Sequence, residues 1–66
     1  MMTKVIPTDV YEKNGDMKGI EFNNLDGGFI VFAEWDPTDA QTSENRVKFR
    51  EWAYHMATQL GYEVVK

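Results

Sequence analysis

A strand pattern followed by an amphipathic helix pattern constrains the fold of this chain most strongly. Between Thr42 and Gly61, apolar residues recur at intervals of three and four, as they do on one face of an α-helix. The members of this stripe are Phe49, Trp52, Ala53, Met56, Ala57 and Leu60. Residues 29–35 form an almost continuous apolar run that is rich in β-forming residues. Two such elements can bury their apolar surfaces against each other, which predicts a small packed domain.

The length and composition indicate one domain over residues 1–66. A chain of 66 residues holds one small core and buries roughly 60% of its unfolded surface. It contains no cysteine, so disulfides cannot stabilise it. With 42% hydrophobic residues it is too apolar for a disordered chain, yet no run approaches the roughly 18 residues of a membrane span. The first residues lack the apolar stretch of a signal peptide, so we expect a soluble, cytoplasmic protein.

Turn signals divide the chain into β-β-β-α-β. Asn14-Gly15 predicts a hairpin between strands at residues 8–13 and 16–23, and Asp26-Gly27 predicts a second hairpin that leads into the apolar run. Asp36-Pro37 ends this third strand. We therefore predict an α+β fold, in which one amphipathic helix packs on one face of a three-stranded antiparallel meander and a short C-terminal strand follows.

Capping residues delimit the predicted helix and the last strand. Thr42 or Ser43 can cap the helix, and Thr38 begins an earlier match to a capping box. Because the apolar stripe starts late, the later start is favoured. Gly61 is expected just after the helix, before a strand at residues 62–65.

The predicted register divides the side chains between two faces of the sheet. With two-residue hairpin loops, Tyr11 lies opposite Lys18, Asp9 and Ala33 lie opposite Ile20, and Phe22 lies opposite Val31. The face toward the helix then holds Tyr11, Ile20, Phe22, Phe29, Val31, Ala33 and Trp35. The other face holds Val10, Glu12, Met17, Glu21, Ile30, Phe32 and Glu34.

This second face has the composition of a partner-binding surface. Its carboxylates surround apolar side chains, as a polar rim surrounds the core of an interface. Two plainer alternatives are a solvated sheet face with scattered hydrophobic residues and a face covered by the N-terminal segment around Val5-Ile6. The apolar side chains next to one another favour the first interpretation, and Phe32 is the expected aromatic anchor.

The helix offers a second partner-binding candidate. Val47 and Tyr54 are seven residues apart and fall opposite the apolar stripe. Alternatively, Tyr54 is a partly exposed residue that lies over its neighbours. Three basic residues, Arg46, Lys48 and Arg50, can pair with Glu44 and Glu51 or with an acidic partner.

The sequence contains no recognisable catalytic constellation. His55 is the only histidine and falls on the polar side of the helix, while Ser43 is the only serine and stands at a helix start. No nucleophile, base and orienting group can be assembled, and no metal-binding, phosphate-binding or dinucleotide-binding pattern occurs. The chain is therefore expected not to be an enzyme and to use neither metal nor cofactor.

Charge and size favour a protein as the partner. Eleven acidic residues against seven basic ones give a net charge of −4, which suits a basic protein surface better than free nucleic acid. The modest acidity can also serve solubility alone. In size and composition the chain resembles accessory proteins of phages and other mobile elements, a likeness that rests on no motif and assigns no residue a role. It predicts a small acidic protein-binding module, an inhibitor or adaptor. The alternatives are a homodimer or higher homo-oligomer and an acidic nucleic-acid mimic that blocks an enzyme.

Overall fold

The strands and the helix follow the predicted order. In the computed structural model, residues 3–65 are described. The elements are β1 (Thr3–Tyr11), β2 (Met17–Asn23), β3 (Phe29–Glu34), α1 (Ser43–Gln59) and β4 (Tyr62–Val64). One sheet has the strand order β3-β2-β1-β4, with β4 parallel to β1 and the other neighbours antiparallel. The predicted α+β fold, with its meander, helix and short last strand, is confirmed.

Strand β1 begins at Thr3, five residues earlier than predicted. Its first three residues pair with β4, Thr3 with Tyr62 and Val5 with Val64. The N–H of Val65 also donates to the carbonyl of Val5 at 2.8 Å. The segment around Val5 therefore extends the sheet and does not cover its free face. Pro7, which has no N–H to donate, lies just beyond the part of β1 that pairs with β4.

Both hairpin loops contain three residues, one more than predicted. The N–H of Glu12 donates to the carbonyl of Asp16 at 2.7 Å, and the N–H of Asn24 donates to the carbonyl of Gly28 at 2.8 Å. In each loop the third residue is a glycine with positive φ, +91° at Gly15 and +89° in the second loop. These are hairpins that combine a turn with a left-handed glycine and a bulge.

The first bulge moves Met17 to the helix side of the sheet. Asp9 pairs with Ile20 as predicted, but Tyr11 pairs with Met17, so Lys18 is an extra residue in β2. The prediction that Tyr11 lies opposite Lys18 is wrong. Because opposed residues share a face, Met17 joins Tyr11 on the helix side, where it is 2% exposed. Its predicted place on the partner-binding face is therefore wrong.

The second bulge exchanges Phe29 and Ile30. The predicted pair of Phe22 with Val31 is confirmed, but Asn23 then pairs with Phe29, which leaves Ile30 as the extra residue. Phe29 thereby shares the face of Asn23, away from the helix, and is 63% exposed. Ile30 packs against the core. Both residues were predicted on the opposite faces.

Helix α1 has the predicted ends. The side-chain oxygen of Thr42 accepts a hydrogen bond from the N–H of Asn45 at 3.1 Å, as an N-cap does. The helix terminates at Leu60, and Gly61 follows with φ +94°. Within residues 3–65, no helix combines the length and the apolar composition needed to cross a lipid bilayer.

The helix presents a narrower face to the sheet than predicted. The core consists of Val5, Ile20, Phe22, Ala33, Ala53 and Ala57. The two alanines let the helix approach the sheet closely, and larger side chains flank them. Trp52 and Leu60, predicted in the buried stripe, are 53% and 57% exposed. Trp52 and Leu60 are therefore not core residues, although the periodicity predicted them in the buried stripe.

Candidate functional site

One face of the sheet is covered by α1, and no helix or strand within residues 3–65 lies over the other. We call this second face the outer face. Pairing of β1, β2 and β3 arranges most of it in three rows, beyond which Lys4 pairs with Glu63. The rows are Ile6, Asn23 and Phe29; Thr8, Glu21 and Phe32; and Val10, Gly19 and Glu34.

Phe32 lies over Gly19 in the middle of the outer face. A β-carbon added to Gly19 would lie 2.9 Å from Cε2 of Phe32 and would also collide with the carbonyl of Ala33. Because this glycine has no side chain, the ring of Phe32 can lie directly on the sheet. Phe32 is half-buried by this contact, so one side of the ring is supported while part of it stays open to solvent.

The row next to the second hairpin contains the most exposed apolar side chains of the face. Ile6 is 41% exposed and Phe29 is 63% exposed. Between them, the side-chain oxygen of Asn23 is buried without a hydrogen-bond partner in the described structure. That oxygen is inaccessible to a partner, so the two exposed apolar side chains are what mark this row as a surface that a partner can cover.

Four of the predicted partner-binding residues remain together on the outer face. These are Val10, Glu21, Phe32 and Glu34. Glu12 lies in the first hairpin loop, exposed, and lines a groove with Phe32 and Glu34. Met17 and Ile30 leave the face because of the bulges.

Sequence reasoning missed Ile6 and Phe29. Both loop sequences place a glycine third, at the position where a three-residue hairpin loop needs positive φ. This signal predicts the bulges and could have placed Phe29. Ile6 pairs with Asn23 in the register that was predicted for Asp9 and Ile20, so it was missed because the predicted strand began only at Thr8.

An open groove of about 710 Å³ borders the outer face at the end where β2 begins and β3 ends. Its carboxylates come from Glu12, Asp16, Glu34 and Asp39, and Lys18 is the basic residue that lines it. The excess of carboxylates makes this end of the domain acidic. It would repel a nucleic-acid backbone and attract a basic surface.

The segment from Trp35 to Thr42, which we call the connector, is held by Gln41. The side-chain amide of Gln41 accepts from the N–H of Met17 at 2.9 Å and donates to its carbonyl at 3.1 Å. It thus replaces a strand partner at the start of β2. Arg46 donates to the same Gln41 oxygen at 3.2 Å from Nη2. These bonds keep the acidic residues of the connector beside the sheet.

Asp36 has a hydrogen-bonded carboxylate at the start of the connector. It accepts from the N–H of Thr38 at 2.9 Å and from the Thr38 hydroxyl at 2.8 Å. The backbone bond, and then the hydroxyl bond, lower the pKa of Asp36 below its ordinary value of 3.8, because both stabilise the charged form. Thr38 acts in this turn and not in a capping box.

The second predicted candidate, Val47 with Tyr54, is not one surface. Val47 is 51% exposed, but the ring of Tyr54 packs edge-on against Phe22 in the core, with ring centroids 6.0 Å apart. Tyr54 therefore lies on the side of the helix that faces the sheet, in agreement with the alternative that it covers its neighbours.

The basic residues of the helix bind within the domain. Arg50 pairs with Asp9 at 2.7 Å across the helix–sheet interface, a partner that the sequence did not indicate. Lys48 pairs with Glu44 at 3.2 Å, one helical turn away, in agreement with one of the two alternatives for the basic patch. These contacts engage charges that would otherwise be available to an acidic partner.

Among residues 3–65, no three histidine or carboxylate side chains converge on a point that could hold a metal ion. His55 is exposed on the helix. Comparison with protein-family models, curated proteins and solved structures finds no match to the chain.

Proposed function

We propose that this protein is a small protein-binding module, an inhibitor or adaptor, that docks on a larger protein through its outer face. The observation that carries the proposal is the exposed apolar row of Ile6 and Phe29 beside Phe32, on a sheet face that no helix or strand of residues 3–65 covers. Burial of such side chains drives most protein association. The absence of cysteine suits the reducing cytoplasm, where we propose that the protein acts.

The charges around this face favour a partner with basic residues at its rim. Glu21 and Glu34 lie on the face itself, and Glu12 is exposed in the adjacent loop. Lys4, also on the outer face by alternation, is paired there with Glu63 at 3.9 Å, so its charge is neutralised within the domain. A second copy would bring carboxylates against carboxylates in many orientations, whereas a basic partner would be attracted and oriented by them.

Matched serine variants test the outer face. Phe29 and Leu25 are almost equally exposed, at 63% and 61%, but Leu25 lies in the hairpin loop and outside the three rows. Each protein is immobilised, its bound proteins are identified from native lysate, and affinities are then measured with the purified partner. We expect Phe29→Ser to lose about 2 kcal/mol or more of binding free energy and Leu25→Ser to keep its partner. Circular dichroism verifies that both variants are folded.

Charge and mass measurements complete the test. Glu21→Lys should slow association and change its salt dependence, because it reverses the charge of the outer face. Equal affinity of Phe29→Ser, Phe32→Ser and the wild type for the partner would exclude this face as the interface. A wild-type dimer that becomes monomeric in Phe29→Ser would instead identify a second copy as the partner.

A further inference from the structure

The strand β3 is an unprotected edge of the sheet. It has six residues and lies at the end of the strand order, with β2 as its one neighbour. Its sequence, FIVFAE, contains neither lysine nor proline, the residues that commonly prevent edge strands from pairing. The opposite edge, β4, is only three residues long. Folded proteins rarely leave a long apolar edge open, so β3 is the edge suited to pair with another strand.

The register shows which backbone groups of β3 are available. The N–H of Trp35 donates to the carbonyl of Lys18, just beyond the last residue of β3. In an antiparallel pair, hydrogen-bonded residues alternate with residues whose backbone groups face the other way. The backbone groups of Phe32 and Glu34 therefore face away from β2, toward the free edge.

An aromatic pocket lies between α1 and the end of this edge strand. Its volume is about 460 Å³, and its lining residues are Glu34, Asp36, Asp39, Asn45, Lys48, Phe49 and Trp52. The rings of Phe49 and Trp52 lie 5.9 Å apart, and Trp52 is 53% exposed although it is among the largest apolar side chains of the domain. The pocket thus offers an accessible indole face.

The charge of the aromatic pocket favours a cation. Three of its residues are carboxylates, and the pocket's own cation, Lys48, is paired with Glu44. The hydrogen bonds from Thr38 keep Asp36 ionised. A guanidinium or ammonium group can stack on an indole face while carboxylates neutralise it, a combination that arginine suits best.

We propose that an extended segment of a partner protein pairs with the free edge of β3 and places an arginine or lysine side chain in the aromatic pocket. This mode of recognition joins backbone hydrogen bonds along the strand to a side-chain pocket that selects the sequence. It involves the backbone edge of β3 and the aromatic pocket, which share Glu34 with the outer face, and it does not depend on that face being an interface. A second copy of β3 does not fit the pocket, because β3 contains no basic residue.

Titration with synthetic peptides, followed by nuclear magnetic resonance, tests this proposal. The probe is a capped hexapeptide of alternating threonine and valine that carries one arginine, and the matched probe replaces the arginine with uncharged citrulline. We expect the arginine peptide to shift the indole N–H of Trp52 and the amides of Phe32 and Glu34. The amides of Lys4 and Glu63, which pair at the opposite edge of the sheet, are the internal control and should not move. Citrulline should weaken binding about three- to fivefold.

Backbone methylation separates strand pairing from simple charge attraction. Two further peptides carry N-methyl groups on alternate nitrogens, one set on each edge of the extended peptide. Methylation of the edge that faces β3 should abolish binding, and methylation of the other edge should leave it unchanged. Equal binding of all methylated peptides would overturn strand pairing.

Variants of the protein test the pocket. Trp52→Leu should weaken the arginine peptide about three- to fivefold. Asp36→Asn keeps an acceptor for Thr38 but removes the charge, and it should weaken binding about twofold. Asp26→Asn removes the same charge from the distant hairpin loop and should have no effect. The pocket would be excluded as the arginine site if Asp26→Asn and Asp36→Asn weakened binding equally. It would also be excluded if Trp52→Leu left binding unchanged.

The remaining outcomes distinguish binding at the edge of β3 from binding at the outer face. Phe29→Ser should bind the arginine peptide like the wild type, since its side chain lies outside the pocket. If the peptide instead shifts Ile6 and Val10, which lie on β1, and leaves Trp52 unmoved, the site at β3 is wrong. The wild-type protein could also have the mass of a dimer and dissociate when the peptide is added. This result would show that a second copy occupies the edge, and it would also overturn the proposal.

Discussion

The ring of Phe32 occupies the space over Gly19 on the adjacent strand where a β-carbon would otherwise lie. This contact joins β3 to β2 on the outer face, without help from the helix. Aromatic residues beside a glycine are a known means of stabilising a sheet at such positions. It also leaves part of the Phe32 ring available to a partner.

We predict that Gly19→Ala destabilises the domain by about 1–3 kcal/mol, because the new methyl group meets both the Phe32 ring and the carbonyl of Ala33. Urea unfolding measures the free energy. In a Phe32→Ala background the cost of Gly19→Ala should be smaller but not zero, since the carbonyl remains. An unchanged midpoint for Gly19→Ala would contradict this packing.

The two tryptophans should differ greatly in their contribution to stability. Trp35 is 5% exposed, packs edge-on against Phe49 at 5.1 Å and donates its indole N–H to the carbonyl of Asp39. Trp35→Ala should therefore cost about 3–5 kcal/mol, whereas Trp52→Ala should cost about 1–2 kcal/mol, because Trp52 is half exposed. Thermal and urea unfolding of the two variants test this difference. Equal costs would mean that the helix is rotated toward Trp52.

The ion pair between Arg50 and Asp9 should stabilise the contact between helix and sheet. Its side chains are 40% and 29% exposed, while those of Lys48 and Glu44 are 70% and 77% exposed. We expect Arg50→Gln to cost about 1 kcal/mol and Lys48→Gln, the control, about 0.3 kcal/mol. A double-mutant cycle with Asp9→Asn, at low and high salt, measures the coupling. No coupling between the two residues would refute the pair.

The carboxyl group of Asp36 should titrate below pH 3.8. The bonds from Thr38 lower its pKa in the folded state, so their contribution to stability is present above the unfolded pKa and is lost as the pH falls through the folded pKa. Thr38→Val removes the hydroxyl bond but keeps the N–H, which should raise the pKa of Asp36 part of the way toward 3.8. Carbon-13 titration of the carboxyl groups measures both values. A wild-type value above 3.8 would be inconsistent with this turn.

The helix cap, the turns and the order of elements could all be predicted because each depends on neighbouring residues. Thr42 caps the helix through the N–H three residues later, and Gly61 follows the helix with positive φ. The central pairs of Ile20 with Ala33 and Phe22 with Val31 also follow from the spacing of the hairpins. The two bulges were missed. Gly15 and Gly27 each stand third in their hairpin loop, and this position could have revealed the bulges.

The candidate site was only partly predictable. Val10, Glu21, Phe32 and Glu34 share one face by alternation alone, and the structure places them together. Trp52 was predicted in the core, because periodicity identifies the side of a helix without specifying how closely each residue approaches the sheet. The small residues Ala53 and Ala57 decide that approach.

The apolar run at residues 29–34 could be predicted as a strand, but its position in the sheet could not. Local patterning determined that this segment is a strand, since β-forming residues follow a turn signal. Its composition is typical of a central strand, but the structure places β3 at the edge because β4 pairs with β1, more than 50 residues earlier in the chain. That choice depends on how the helix packs and returns the chain to the sheet. Turns, caps and alternation are local and were set by the sequence directly, whereas the free edge, the exposure of Trp52 and the surroundings of Phe29 were decided by tertiary packing, which brings distant residues together.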